Sequence, residues 1–276
     1  KATMLPDVSS LKVLVVGDAI IDEYCYVTPL GKSIKDNMIS VQYHKKETFS
    51  GGVWAAAAHV RGFCNEVDVM IGNQVTTNRR FVEEAYMRKL FVVHETKQTE
   101  RQERKNFSDY DLVIVTDFGH GAITPELIAE LTVSAKFLAV NTQTNTSNYG
   151  FNLITKYPRA EYVVLDELEA RLAVHDRVSK LQNVINKLGF QRIVVTQGYL
   201  GAMGFNGTYT NQPARADKVV DTMGAGDAFI SVSAPFACLG LPIEELVRIG
   251  NAAAAVKVST VGHRASVTPD SLKAYL

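Results

Sequence analysis

Val219-Val220-Asp221-Thr222-Met223-Gly224-Ala225-Gly226-Asp227-Ala228-Phe229 decides the reading of this 276-residue chain. Gly224 and Gly226 let the backbone turn sharply and approach a ligand without Cβ interference. The apolar pattern that follows predicts a helix from Ala225 to Leu239. The unpaired N–H groups of its first turn and the positive end of its dipole then face whatever sits at the turn. Such a turn binds phosphate or stabilises developing negative charge. Asp227 stands beside it, placed to take a proton from a hydroxyl attacking a γ-phosphate. For Gly-Ala-Gly-Asp in isolation, a plain helix cap is an equally good account of Asp227.

Working outward, short β-branched runs alternate with helical stretches. Leu11 to Val16 reads as a buried strand ending at Gly17, and Gly51-Gly52 opens an alanine-rich helix from Val53 to Gly62. Strands are expected at Val67 to Ile71, Leu112 to Val115, Phe137 to Val140, Tyr162 to Leu165 and Ile193 to Val195. Thr124 and Pro125 cap a helix reaching Ser134. Asn206-Gly207 marks a hairpin, and a second late helix runs from Pro242 to Thr260. The pattern is α/β: a doubly wound, mostly parallel sheet covered on both faces. Tyr24 to Phe49 lacks a helical stripe and reads as strands and turns outside the main core. Phe81 to Val93 suits helix in its first half and strand in its second. Lys97 to Asp109 reads as a polar linker.

The quoted run resembles the signature Asp-Thr-x-Gly-Ala-Gly-Asp-Ala-Phe of the ribokinase-like (PfkB) sugar kinases, and the resemblance covers nearly the whole chain. It implies one domain over 1–276 with a small strand-rich lid formed by segments near 23–50 and 79–97. It implies an ATP-dependent carbohydrate kinase with Asp227 as base and Gly224, Ala225 and Gly226 as anion hole. Val194-Val195-Thr196-Gln197-Gly198-Tyr199-Leu200-Gly201-Ala202 resembles the family's nucleotide-lining segment, so Thr196, Gly198, Gly201, Thr222 and Asn251 are expected at the nucleotide. Asp166-Glu167-Leu168-Glu169 resembles Asn-x-x-Glu, which points to Glu169 and Asp166 for Mg²⁺ and its waters. Asp18, Asp22, Gly51, Gly52 and Asp117 are expected at the sugar. The resemblance also leaves room for a monovalent cation and implies a homodimer paired through the lids.

Within the family, Val15 to Tyr24 and Thr116-Asp117-Phe118-Gly119-His120-Gly121-Ala122-Ile123-Thr124 are similar to the heptose-phosphate kinase branch, some members of which are fused to a nucleotidyltransferase. The chain departs from that branch at three places. His120 stands where the branch carries Lys, and Asn141-Thr142-Gln143-Thr144 replaces Asp-Pro-Lys-Gly. Ala55 replaces an Asn. Losing a Lys–phosphate contact costs about 1.5–3 kcal/mol unless another donor substitutes. Lys32, Lys35, Arg79 and Arg80 are candidate substitutes. The departures favour a sugar with a differently built pocket over heptose phosphate. They also keep open a regulatory binding module with weakened catalysis, or a kinase for a nucleoside or vitamin alcohol.

Composition excludes other classes. Lys plus Arg and Asp plus Glu each number 29, so the formal net charge is zero, with no electrostatic footprint for nucleic acid or an anionic membrane. No apolar run reaches the roughly 18 residues of a membrane span. Lys1 to Ser10 lacks the apolar core of a secretory signal. Cys25, Cys64 and Cys238 are sparse and unpaired in spacing, as in reduced cytoplasmic proteins. The six histidines include no pair at metal-ligand spacing. Gly31-Lys32-Ser33 imitates the end of a P-loop, but Tyr26 stands where its first glycine belongs.

Overall fold

The computed structural model describes residues 5–100 and 103–276. Its centre is a single sheet in which six strands run parallel. These are β1 (Lys12–Lys32), β3 (Glu66–Glu83), β5 (Leu112–Asp117), β6 (Leu138–Thr142), β7 (Tyr162–Asp166) and β8 (Ile193–Thr196). Across the sheet they lie in the order β3, β1, β5, β6, β7, β8. The hairpin β9 (Ala202–Phe205) and β10 (Tyr209–Gln212) extends the β8 side antiparallel around Asn206-Gly207.

Both faces of the sheet are buried because strand side chains alternate between two cores. Val13, Val15, Leu112 and Ile114 pack with α1 (Val53–Arg61), α5 (Ala225–Cys238), α6 (Ile243–Val258) and α7 (Pro269–Lys273). Leu14, Val16, Val113 and Val115 pack with α2 (Pro125–Ser134), α3 (Glu167–Ala173) and α4 (Leu181–Leu188). Burying each such aliphatic side chain stabilises the fold by about 1.5–3 kcal/mol before the entropy of ordering is subtracted. Among the described residues, no helix is long and apolar enough to cross a membrane.

The first strand departs from the sequence expectation. It does not end at Gly17 but continues to Lys32, with its register slipping between Gly17 and Ala19. Up to Gly17 it pairs with β5; from Ala19 onward it pairs antiparallel with β2 (Ile39–Gly52). A glycine read as a strand end is here the point where a strand changes neighbours. Phe81 to Val93 resolves as a hairpin: β3 ends at Glu83, a single 3₁₀ turn spans Glu84–Tyr86, and β4 (Arg88–Gln98) returns antiparallel. Cross-strand stacking of Phe81 on Phe91, with centroids 4.5 Å apart, explains why strand wins there. The result is a four-stranded extension in the order β2, β1, β3, β4. Its own small core is Tyr24, Tyr26, Phe49 and Val82, backed by Met223 and Val261. Of the Lys97–Asp109 linker, Lys97 and Gln98 belong to β4, a 3₁₀ turn covers Phe107–Asp109, and residues 101 and 102 lie outside the described residues.

Candidate active site

A cavity of about 280 Å³ lies where β1 leaves the main sheet, and the N-terminus of α5 forms one of its walls. Its lining includes Asp22, Gly52, Asn78, Arg80, His94, His120, Gln143, Asn145, Gly224, Asp227 and His263. The position matches the rule that ligands in open α/β sheets sit beyond the carboxyl ends of strands. Gly224 caps α5 in the left-handed region, with φ of 77°, a conformation that favours glycine. A Cβ at Gly226 would project into open space, so the turn is uncovered on that side.

Asp227, in the first turn of α5, is 4% exposed. Its Oδ1 accepts a 2.6 Å hydrogen bond from Gln143 Nε2. Burial pushes its carboxyl up to about 7, and the charge of Asp22 adds to the rise while Lys257 and Gln143 oppose it. A carboxyl with that pKa is poised to exchange a proton near neutral pH.

Asp22 faces the same cavity. Its carboxylate pairs with Arg80 and lies 3.4 Å from His263 Nε2. Burial opposes its ionisation, but these two partners outweigh burial and hold it below the usual carboxylate range. Gly51 and Gly52 admit this packing. A Cβ at Gly51 would come within 2.2 Å of Asp22 Oδ2, and Gly52 has φ of +55° against the carbonyl of Asp18. Beside Asp22, its register partner Asn78 on β3 holds Oδ1 2.7 Å from Nδ1 of His94 on β4. His120 is driven towards its neutral form by burial, with Asp18 opposing, and its buried Nδ1 has no hydrogen-bond partner among the described residues.

Asp18 and Asp117 do not line this cavity. Asp18 accepts from the backbone N–H of Phe118 (2.8 Å) and Ala122 (3.0 Å). Asp117 accepts from Gly119 N–H (3.0 Å) and Tyr157 O–H (2.6 Å) and pairs with Lys156 at 2.6 Å. Together the two carboxylates clamp the turn that presents His120. Thr196 ends β8, and Gly198 begins the 3₁₀ turn that follows with φ of +58°. Gly201 has φ of +102°, and a Cβ there would strike the carbonyl of Gln212. Asn251 in α6 donates to the carbonyls of Gln212 (3.4 Å) and Pro213 (3.1 Å), and Thr222 is exposed. None of these five expected nucleotide residues lines the Asp227 cavity.

Glu169 and Asp166 form a reciprocal capping box on α3. Glu169 also accepts from the N–H of Thr144 at 3.0 Å, the residue next to Gln143, whose side chain touches Asp227. Burial raises Glu169 to about 8, and the charges of Asp166 and Asp227 add to the rise. Carboxylate oxygens are the donors a divalent cation takes, so Asp166 and Glu169 are the residues that would hold such an ion through its waters. Among the described residues, no group of three or more His, Cys, Asp or Glu side chains that could hold a metal ion occurs.

Several cavity residues had weak sequence signals. Gln143 stood out only as a departure from the heptose-kinase pattern, and Arg80 only as one of four candidate cations. His263 follows Gly262, whose φ of +51° turns the chain towards the site. Lys257, a lone cation in an alanine-rich helical run, carried the signal of a buried ammonium that composition alone does not interpret.

The profile of the "pfkB family carbohydrate kinase" matches residues 69–270. The chain belongs to this family of carbohydrate kinases. Among curated relatives it is similar to the bifunctional protein HldE of Hydrogenovibrio crunogenus, 24% identical over 93% of this chain and 61% of that protein. It is also similar to HldE of Trichlorobacter lovleyi, 28% identical over 60% of this chain and 35% of that protein. The chain thus spans between about a third and under two thirds of the length of these relatives. The 2-dehydro-3-deoxygalactonokinase of Haloferax volcanii is 31% identical over 44% of this chain and 39% of its own. Ribokinase from Thermotoga maritima shares the fold, with a TM-score of 0.74 at 18% identity over 96% of this chain and 99% of that one.

Proposed function

We propose that the protein phosphorylates a hydroxyl of a small sugar with MgATP, and that Asp227 is the general base. The observation that carries this reading is the position of Asp227, buried in the first turn of α5 beside the Gly224–Gly226 turn, with a carboxyl raised to about 7. Asp227 takes the proton of the attacking hydroxyl as that oxygen bonds to the γ-phosphorus and the bond to the β,γ-bridging oxygen breaks. The turn and the α5 N-terminus receive the charge spread over the transferring phosphoryl. Asp166 and Glu169 hold Mg²⁺ through its waters; the ion neutralises phosphate charge when bound. The nucleotide lies along Thr196, Gly198, Gly201 and Thr222, with the base near Asn251.

The acceptor side favours an unphosphorylated polyhydroxy face. Arg80 is already committed to Asp22, and a neutral His120 replaces the lysine of the heptose-kinase pattern. His120 Nδ1, Asn78, Asn145 and Asp22 offer donors and acceptors suited to hydroxyl groups. The four-stranded extension serves as the lid that excludes water so that the sugar outcompetes hydrolysis. Pairing of two lids across the exposed Val92–Val93 edge of β4 and attachment to a nucleotidyltransferase in a longer chain belong to the same proposal.

The test is ADP release from MgATP against a panel of sugars and sugar phosphates, with Asp227→Asn alongside. Acceptor-dependent turnover with a neutral sugar that collapses in the variant supports the reading. Nucleotide or sugar binding without turnover by either protein replaces it with a binding module.

A further inference from the structure

Beneath the Gly224 turn lies a lysine that the proposed chemistry does not use. Lys257, in the last turn of α6, is 1% exposed. Its Nζ donates to the carbonyl of Met223 at 2.8 Å and to the carbonyl of Gly262. Its stem passes under the turn, so that a Cβ on Gly224 would meet Lys257 Cε at 3.1 Å. An ammonium taken out of water costs several kcal/mol unless compensated. Burial lowers the pKa of Lys257, and the charges of Asp221 and Asp227 oppose that fall; the two carbonyls and the C-terminal end of α6 add acceptors for the ammonium.

The two acceptors have a consequence for the cavity. Met223 immediately precedes Gly224, and Gly262 immediately precedes His263; Gly224 and His263 both line the site. A trans peptide places its C=O and N–H on opposite sides. Holding the Met223 carbonyl on the lysine side therefore turns the Gly224 N–H to the other side. The Gly262 carbonyl fixes the following peptide of His263 in the same way. Asp221 braces the arrangement from a second direction, accepting from Met223 N–H at 3.1 Å and Gly262 N–H at 3.0 Å. Carbonyl and carboxylate oxygens gathered around one buried positive charge are the surroundings a small monovalent cation would select.

We propose that the Lys257 ammonium is a resident cation of the anion-binding turn, positioning the Gly224 and His263 backbones and making activity independent of any added monovalent ion. Lys257 lies beneath the turn rather than in the cavity lining, and it acts as a positioning residue. The inference rests on the kinase reading for its effect on turnover, but the cation site itself is testable without it.

The experiment compares the intact protein with Lys257→Ser and Lys257→Met in choline, Na⁺, K⁺ and NH₄⁺ buffers of equal ionic strength. Turnover and thermal unfolding are both followed. The unsubstituted protein is expected to show the same kcat and the same melting temperature in all four. Lys257→Ser should lose kcat by roughly tenfold to a hundredfold with little change in acceptor KM. K⁺ or NH₄⁺, but not choline, should restore part of that loss and raise the melting temperature as the ion fills the vacated site. Lys257→Met, whose side chain still fills the space, should show the loss without the rescue. A K⁺ requirement in the unsubstituted protein overturns the proposal whether or not the variants fold. Lack of ion response in both readouts of Lys257→Ser also overturns it. If the unsubstituted protein turns over no acceptor, the kinase reading falls, and the ion-dependent melting of Lys257→Ser still decides the cation site.

Discussion

Lys89 Nζ lies 2.8 Å from Asp221 Oδ1, which joins β4 of the extension to the segment that carries Asp227. Tyr24 O–H donates to the other oxygen of Asp221 at 2.5 Å, so two strands of the extension end on one buried carboxylate. Burial opposes ionisation of Asp221, but Lys89, Tyr24 and the Gly262 N–H outweigh it and hold the carboxyl far below its ordinary range. Lys89→Met should therefore destabilise the fold by about 1–2 kcal/mol, and Tyr24→Phe by about 1 kcal/mol. A double-mutant cycle in urea should show coupling between them, because they share an acceptor. The pH sign follows from the depressed pKa. Stability contributed by Asp221 is present above about 3.8 and is lost as pH falls below it. Asp221→Asn should abolish that part of the acid dependence. Equal acid sensitivity in both proteins would remove Asp221 as the hub.

Asp227 has the opposite linkage. Its folded pKa of about 7 exceeds the ordinary 3.8, so the folded state keeps a proton that the unfolded state has released. As pH rises from 3.8 to 7 the unfolded state gains progressively, and above 7 the ionised carboxylate costs the fold on the order of a few kcal/mol. Asp227→Asn is expected to melt at a higher temperature than the parent at pH 8 and at a similar one at pH 3.5. The same substitution should lower kcat by about 10²–10⁴. A variant that is both less stable at pH 8 and inactive would mean that Asp227 is a structural cap.

Gln143 tunes that carboxylate. Its amide donates to Asp227 Oδ1 at 2.6 Å, which favours the ionised form. For kcat/KM towards nucleotide, the acidic limb should lie near pH 7 in the parent. Gln143→Leu removes the donor and should move the limb upward. Gln143→Lys, which restores the lysine of the heptose-kinase pattern, should move it down by about one to three pH units through the adjacent ammonium. An unmoved limb in both variants would assign the limb to another group. Initial rates from pH 5.5 to 9 suffice to locate it.

The parts of this molecule that obey local rules are legible in its sequence. Val13 to Val16 and Leu112 to Val115 are apolar on both faces, so burial under two helical layers follows from composition. The α5 N-terminus was legible because Gly224 and Gly226 have no better use than a turn that bares N–H groups. What was not legible depends on partners distant in sequence. Nothing near Gly17 announces that β1 exchanges β5 for β2 and runs on to Lys32, because that choice is made by residues 19 to 52 pairing across the slip. Asp18 looks like a sugar ligand from its place after a strand, yet both its oxygens meet N–H groups roughly a hundred residues away. Gln143 and Asp227 are separated by 84 residues, and Lys257 and Met223 by 34. Such contacts are fixed by topology, and no window of sequence contains them.

Glu169 supplies the remaining prediction. Its carboxyl is raised to about 8 by burial and by the charges of Asp166 and Asp227, so at pH 7 it is largely protonated when no cation is near. A divalent cation arriving with nucleotide reverses that balance, since nearby positive charge favours the ionised forms of all three carboxyls. Binding of Mg²⁺-nucleotide at pH 7 should therefore release protons, whereas nucleotide with excess EDTA should release fewer. Titration calorimetry in two buffers of different ionisation enthalpy measures the difference directly. Glu169→Gln carries no proton to release, and its single amide oxygen can accept from only one of the Thr144 and Asp166 N–H groups that the two carboxylate oxygens hold. It should lower the proton count and weaken magnesium-dependent binding without an equal loss of magnesium-free binding. An unchanged proton count in Glu169→Gln would confine Glu169 to the cap of α3 and leave the divalent ion to Asp166, Asp227 and the phosphates.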